Sequence, residues 1–533
     1  MTKTKSLVIS LIATIVIVLI SFYFALPAIN VQSPAFWVYI TFILIFFNFL
    51  YSFLLAANSF AKKAAVDFPK IGVILMAIPV VVLIIGGLIS STMFNAKRYA
   101  SIINVEDAVF EEDMPESDSV SNIALMDTES ATIIGNRALG ALSEVVSQYE
   151  ISPTYTQINY HNTPQKVANL EYADFFKWLS NRSNGIPGYI MVDPVNNTAT
   201  YEELETPIRY VSSAYFGENL YRALRFDYPT KIFDSVYFEL DEEGNPYYIV
   251  SCLSSKVGLF GAKDVSEVII FNPCDGSSVL YPVEETPAWV DIVYTGDLAS
   301  KKFNWYGMLS GGFFNSIIGN KDCKQTTDDY GYVVLEDDVW YFTGVTSVNS
   351  DESNIGFVLS NARTGQYKYY PVVGAEEYSA MAAAEGQVQE TGYVASFPSL
   401  INVSGEATYI LVLKDNGGLV KLYALVNVEN YGIVATGSTQ EDAFAAYKRL
   451  LSESGVVDVA PDDIVSATVT VETVRLATLD GSSVVYITAE NGDVYKGYLS
   501  EDESLILIRE GDSITVEYSE TDIDGIYLIS SWR

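Results

Sequence analysis

The chain has 533 residues, with 66 acidic and 31 basic side chains and a net charge of −35. The imbalance is uneven: residues 1–100 hold seven basic residues and one acid, whereas the remaining 433 hold 24 basic and 65 acidic residues, a net of −41. So acidic a surface repels phosphate backbones and excludes nucleic acid as a partner. It also repels anionic headgroups, so the polar region is expected to stand clear of a membrane surface; a salt-adapted, heavily solvated surface would give the same imbalance. The length calls for several domains.

Three charge-free runs, Leu7–Leu26, Ala35–Ala57 and Ile71–Phe94, are long enough to cross a hydrocarbon core. Lys3 and Lys5 precede the first, and Lys62, Lys63 and Lys70 lie between the second and third. The positive-inside bias therefore predicts a cytoplasmic N-terminus and a multi-pass plasma-membrane protein whose residues 95–533 are extracytoplasmic. The first run resembles a signal peptide but has no A-x-A site, since Ala25-Leu-Pro-Ala28 has the wrong spacing. Asn48, an amide in hydrocarbon, is expected to seek a partner helix. Gly86, Gly87, Ser90 and Ser91 form two small-xxx-small pairs, candidates for homo-oligomeric packing. No acid or base lies inside a span, which argues against an ion-coupled transporter. Residues 7–94 are thus expected to contact lipid as an anchor.

The predicted organisation is a three-helix anchor at 1–98, an acidic tether at 99–126, a first α+β domain at 127–283, an aromatic and acidic insertion at 284–350, a second α+β domain at 351–455, and a small β-barrel or sandwich at 463–533. Asp127-Thr-Glu-Ser reads as a helix N-terminus leading through about Tyr149, and Lys166–Asn181 as an amphipathic helix. A hairpin at Tyr189–Tyr201, a helix near Ala214–Arg225 and the turn Tyr228-Pro-Thr-Lys-Ile232 are followed by strands near 247–251 and 268–271. The same order returns at Gly356–Tyr370, Ala375–Glu385, Phe397-Pro-Ser-Leu-Ile401 and the strands Tyr409–Leu413 and Lys421–Val426, suggesting an internal duplication. Short β-branched runs fill the last 70 residues (Val465–Leu476, Ser483–Ala489, Asp493–Leu499, Ser504–Arg509, Ser513–Tyr518, Ile526–Ser530), with Asp-Gly and Asn-Gly turns between several. This predicts a small OB-like all-β domain.

His161 is the one histidine and sits in a polar turn, so neither a Ser–His–acid triad nor a multi-histidine zinc site is expected. There is no G-x-S-x-G elbow, no P-loop and no C-x-x-C. No catalytic residue and no cofactor is assigned. Asp328, Asp329, Asp337 and Asp338 are candidate Ca²⁺ ligands, against the alternative of a solvated acidic edge. Cys252 and Cys274 fall on neighbouring predicted strands and are a candidate disulfide across the Gly261-Ala-Lys-Asp264 turn, with two reduced thiols as the alternative; Cys323 is left over. Within Phe303–Phe314, Trp305 and Tyr306 are candidates for stacking on a sugar or peptide, and equally good fillers of a core.

Gly244-Asn-Pro-Tyr-Tyr-Ile-Val250, followed by Val268-Ile-Ile-Phe-Asn-Pro-Cys-Asp-Gly276, resembles the PepSY pattern of a strand before a hairpin, and Gly405-Glu-Ala-Thr-Tyr-Ile-Leu411 is similar in the second copy. Asn272 and Asp275 depart from that pattern, and the linker Leu253–Glu267 is long for it. The resemblance implies extracytoplasmic modules with a binding role and names no catalytic residue. The expected fold is therefore three N-terminal transmembrane helices, duplicated PepSY-like α+β domains and a C-terminal OB-like domain. The expected function is non-enzymatic binding or scaffolding in a bacterial cell envelope, with an envelope protein or cell-wall polymer as partner. The alternative is a carboxylate-dependent cell-wall glycan hydrolase, since paired acids cannot be placed from sequence.

Overall fold

The computed structural model describes residues 3–62, 70–117, 120, 123–335, 338–348, 350–454, 456, 465–479, 482–499, 502–520 and 525–533. Three apolar helices open the chain, Lys3–Ala25, Pro34–Lys62 and Lys70–Ile89, each long and apolar enough to cross a membrane. Most of their side chains face outward, as helices solvated by lipid require. Polar groups in them turn inward. Ser21 and Tyr39 share a hydrogen bond of 2.8 Å between the first two helices. Asn48 abuts the third helix at Gly72, where a Cβ would fall 1.6 Å from its Oδ1.

A large β-rich region with several sheets comes after them, and the chain divides into two compact units. The first comprises residues 1–106, 131–351 and 358–368. Beyond the apolar helices it contains a five-stranded sheet built from Tyr149–Ile151, Thr156–Tyr160, Thr163–Tyr172, Ile186–Asp193 and Thr198–Ile208. A four-stranded antiparallel meander comes next: Ile232–Leu240, Pro246–Val257, Gly261–Phe271 and Ser278–Pro282. Helix Gly296–Leu309, capped by the Thr295 hydroxyl accepting from Leu298 N–H, leads into strands Lys324–Thr326, Gly331–Leu335 and Asp338–Ser347. The stretch expected as an insertion is thus regular structure.

Thr163–Tyr172 is a strand where the sequence predicts an amphipathic helix. Neighbours pair with it on both sides and five successive residues are buried, so the alternation that marks a half-buried strand is lost. The helix begins only at Phe175, where Asp174 accepts from the N–H groups of Phe176 and Lys177.

The second unit comprises residues 107–130, 352–357 and 369–533. Its five-stranded sheet contains Val394–Ala395, Ser399–Val403, Glu406–Lys414, Val420–Asn427 and Val434–Gly437. Glu406–Lys414 is buried along nearly its whole length, and the core beside it includes Ile410, Val412, Leu425, Phe444 and Tyr447, the last two from helix Gln440–Glu453. Val120 and Leu125 insert into the same core, and Phe110 packs edge-on to Tyr370. The acidic stretch read as a tether is therefore packed: Phe110, Met114, Val120, Leu125 and Met126 are buried while many of its carboxylates stay in water. A hairpin, a helix, an antiparallel sheet and a second helix follow one another from 186 to 309 and again from 350 to 453, with four strands in the first sheet and five in the second.

At the C-terminus, Val465–Leu479, Ser482–Ala489, Val494–Tyr498, Ile526–Trp532 and Ser513–Glu520 close a barrel in that order, with one parallel pairing, Val494–Lys496 on Ile526–Leu528. The strand expected at Ser504–Arg509 is instead a short 3-10 turn, Glu503–Leu507, with the Asp502 carboxylate accepting from Ser504 N–H. Parts of the expected Asp-Gly turns at 479–481 and 523–525 lie outside the described residues.

Candidate functional site

In the first unit, a cavity of about 170 Å³ opens between the five-stranded sheet and the meander. Asn169 and Glu171 reach it from strand Thr163–Tyr172, on one face because strand side chains alternate with period two. Leu220 and Tyr221 come from helix Leu220–Asp227, whose first turn is capped by Asn219 accepting from Arg222 N–H at 3.2 Å. Phe238 and Tyr248 face each other across the Ile232–Leu240/Pro246–Val257 pair, ring centroids 5.6 Å apart. Ser152, Pro153 and Thr154 form part of the rim.

Glu171 organises one wall. Its Oε1 accepts from Asn169 Nδ2 at 3.0 Å and Ser212 Oγ at 2.8 Å, and its Oε2 accepts from Ser213 N–H at 2.9 Å and from Ser213 Oγ. Four donors occupy the acceptor capacity of a carboxylate, so this group positions the 212–213 turn and has little left with which to take a substrate proton. Tyr248 is the opposite case. It is 4 % exposed, and its hydroxyl has no hydrogen-bond partner among the described residues. Burial, reinforced by the Glu171 charge, pushes its phenol well above the ordinary range. Tyr221 is shifted up by the same two causes in the same order. Both phenols are therefore protonated donors at neutral pH. A visiting oxygen or nitrogen acceptor would satisfy Tyr248, which otherwise bears the cost of a buried unpaired polar atom. Small-molecule pockets usually occupy about 300–1,000 Å³, so this cavity fits a side chain or one small polar moiety of a larger partner.

The candidates named from the sequence are dispersed. Cys252 and Cys274 are separate thiols, not a disulfide. The hairpin turns at Gly258-Leu-Phe260 rather than at 261–264, so Cys252 stands opposite Glu267, and Cys274 lies beyond the strand end with its Sγ against the Thr206 carbonyl at 3.2 Å. Burial raises both thiols, Cys252 to about 12 and Cys274 to about 11. Asp338 is held by Arg363 through Nε at 2.7 Å and Nη2 at 2.8 Å, and by Asn361. Asp328 and Asp329 are exposed, Asp337 lies outside the described residues, and no group of three metal-ligating side chains converges among the described residues. Trp305 packs edge-on to Tyr99 at 5.1 Å, and Tyr306 lies 5.9 Å from Phe303, so both rings are engaged in packing rather than offered to a ligand. His161 sits in an exposed two-residue turn with positive φ, its Nε2 3.0 Å from the Glu242 carbonyl oxygen.

The small-residue pairs of the third helix meet this chain's own β-rich region. A Cβ on Gly86 would lie 2.4 Å from the Phe260 ring, whereas one on Gly87 would meet nothing. Ser90 Oγ accepts from the N–H groups of Leu259 and Phe260, both at 2.9 Å, and the Ser90 carbonyl accepts from Tyr99 OH at 2.6 Å. Ser91 caps the following helix, accepting from Met93 N–H.

No family model and no curated protein matches the chain. Among solved structures, it is similar to the WD40 domain of SCAP from fission yeast at 8 % identity over 72 % of each chain, with a TM-score of 0.16, which carries no argument about the fold.

Proposed function

We propose that this chain is a non-enzymatic, membrane-anchored binding or scaffold protein of a bacterial cell envelope, with its β-rich region on the extracytoplasmic side. The observation that carries the reading is the Glu171 cavity: a saturated carboxylate holds the wall, while the buried Tyr248 hydroxyl waits for an acceptor. This supports binding over catalysis, because Glu171 has no free lone pair with which to act as a general base and burial makes the Tyr248 phenol a weaker acid than usual. An envelope protein side chain or a hydroxyl-rich wall polymer suits the cavity's size and polarity.

The strand Pro246–Val257, the strand Gly261–Phe271 and the turn into Ser278–Pro282 follow the order of the PepSY-like motif, and the recurrence of hairpin, helix and meander supports a duplication. The 1-2-3-5-4 closure of the last five strands supports an OB-like reading of the C-terminal domain.

Full-length protein in detergent, used as bait on envelope extracts, is expected to recover an envelope protein or wall polymer. Thr154→Trp, placed on the exposed rim to fill the cavity, should abolish recovery without changing thermal unfolding. Recovery unaffected by the plug, or wall-glycan turnover lost on changing Glu171, would overturn the reading.

A further inference from the structure

We propose that the segment Phe313–Ile318 is a second membrane contact, a lipid-inserted wedge whose side chains Phe314, Ile317 and Ile318 enter the outer leaflet beside the third apolar helix. This rests on the reading of the three helices as membrane spans.

The wedge starts from a point fixed at the bilayer. Phe260, at the tip of the hairpin joining Pro246–Val257 to Gly261–Phe271, lies against Gly86, three residues before the third helix ends at Ile89. At 1.5 Å per residue, the tip reaches about 5 Å inside the end of the span. Val257 and Ala262, which flank this tip, share one apolar cluster with Ala96, Tyr99 and Ala100 of helix Thr92–Ala100 and with Leu309, Met308 and Phe313. Phe313 therefore packs on the same cluster as the flanks of the hairpin tip, and the chain leaves from there.

The turn after Phe313 is held rigidly and points away from the protein. Asn315–Gly319 forms a single wide turn ended by Asn320 in a left-handed conformation. Asn315 ties it down, donating from Nδ2 to the Lys321 carbonyl at 2.8 Å and accepting the Lys321 N–H at 3.2 Å. Phe314 is 68 %, Ile317 58 % and Ile318 80 % exposed, and Phe94 on the adjoining helix is 67 % exposed. Four large apolar groups left in water around one fixed cluster is a cost that soluble surfaces avoid, and a bilayer already occupied by the preceding helix removes it.

Charge agrees. The segments around this cluster carry exposed Lys97 and Arg98 and, from the 433 residues whose net charge is −41, exposed Lys256, Lys301 and Lys321. Lys301 Nζ lies 5.6 Å from the centre of the Trp305 ring, which packs on Tyr99. Apolar side chains flanked by lysine and arginine match an interface of acyl chains and anionic headgroups. The acidic region thus meets the membrane through its basic end.

The test places a photo-activated diazirine amino acid at position 314 or, separately, 318 of the full-length protein in nanodiscs of phosphatidylethanolamine and phosphatidylglycerol. Phe42, exposed on the second apolar helix, is the lipid control, and Val373, exposed in the second unit, is the water control. Lipid adducts at 314 and 318 matching Phe42 in yield, and several-fold above Val373, are expected. Water insertion there, or a protein–protein adduct reporting a second copy, overturns the wedge. Loss of lipid adducts at Phe42 as well would overturn the anchor reading itself.

Discussion

Ser90→Ala removes one oxygen that accepts two backbone N–H groups, those of Leu259 and Phe260, both at 2.9 Å and part-buried. Each such bond contributes about 0.5–1.5 kcal/mol net, so detaching the hairpin tip should become easier by about 1–3 kcal/mol. At 1.36 kcal/mol per decade, the amides of 259 and 260 should exchange with solvent about 5- to 150-fold faster, while the global unfolding transition moves little because the opening is local. Hydrogen–deuterium exchange on full-length protein in nanodiscs reads this directly. Gly87→Ala is the matched control: a Cβ there meets nothing, so protection at 259–260 should be unchanged. Gly86→Val should go further than Ser90→Ala, since its Cβ would fall within 2.4 Å of the Phe260 ring. If Ser90→Ala leaves those two amides as protected as before, or if Gly87→Ala exposes them equally, the tip is not fastened by this helix and the reasoning fails.

Asp442 accepts from Lys496 Nζ at 2.9 Å and Tyr498 OH at 2.8 Å, joining helix Gln440–Glu453 to the barrel, so Asp442→Asn should destabilise this junction by about 2–4 kcal/mol, read as faster proteolysis of residues 465–533. Burial raises the Asp442 carboxyl, but the bonds from Lys496 and Tyr498 outweigh it and the net shift is downward. An acid depressed in the folded state contributes fully above its ordinary value and loses that contribution as pH falls through the depressed one, so the junction should weaken below about pH 4 in a titration of protease sensitivity. Glu239 behaves oppositely: complete burial and then the Asp291 charge hold its carboxyl well above the glutamate range, against two backbone N–H donors, from Asp291 and Ile292. An acid raised in the folded state stabilises more as pH falls from that raised value to the ordinary one. Infrared difference spectra against Glu239→Gln should show a carboxyl that stays protonated where ordinary glutamates are ionised, and its absence would refute the assignment. Tyr248→Phe removes a buried hydroxyl with no partner among the described residues and should raise thermal stability by about 1–3 kcal/mol while weakening partner recovery; a loss of stability would mean the hydroxyl is already engaged.

The apolar helices and the barrel strands were legible in the sequence because each carries its own period or length: about 20 charge-free residues for a span, and β-branched runs between turns for a strand. Strand Thr163–Tyr172 was not, because pairing on both sides erases alternation. The acidic stretch before Asp127 misled for a compositional reason: Phe110, Met114, Val120 and Leu125 are too sparse to show a period, yet each is buried. At Gly86 and Ser90 the small residues suggested close packing of helices in a homo-oligomer, but such a pattern does not say what comes near. The visitor is Phe260 of the same chain, about 170 positions along. The cavity was invisible for a related reason, since Glu171, Ser212, Tyr221 and Tyr248 come from four separate segments with no motif among them.

One short helix brings the cavity and the first apolar helix together. Leu220 and Tyr221 of Leu220–Asp227 line the cavity, and on the same two turns Arg222 Nε donates to the Tyr23 carbonyl at 3.3 Å and Arg225 Nε to the Leu26 carbonyl at 3.0 Å. These carbonyls end the first apolar helix, where a helix leaves its last acceptors unsatisfied, so the two guanidinium groups complete its C-terminus. Phe226 adds an edge-on contact with Phe22 at 5.7 Å, and the Arg222 guanidinium lies 4.2 Å from the centre of the Tyr23 ring. Arg225 is almost fully buried, and burial pulls its guanidinium down to about 10, still charged at neutral pH and therefore costly to leave without acceptors. Its Nη1 also donates to the Lys231 carbonyl at 2.6 Å, which ties the same helix to the start of strand Ile232–Leu240, the strand that carries Phe238 to the cavity floor. Moving Leu220 away from the cavity would therefore either break charge-assisted bonds at the membrane helix or carry that helix end with it. The cavity wall and the end of the first apolar helix are thus joined through one helix by hydrogen bonds from two guanidinium groups, so neither moves without the other.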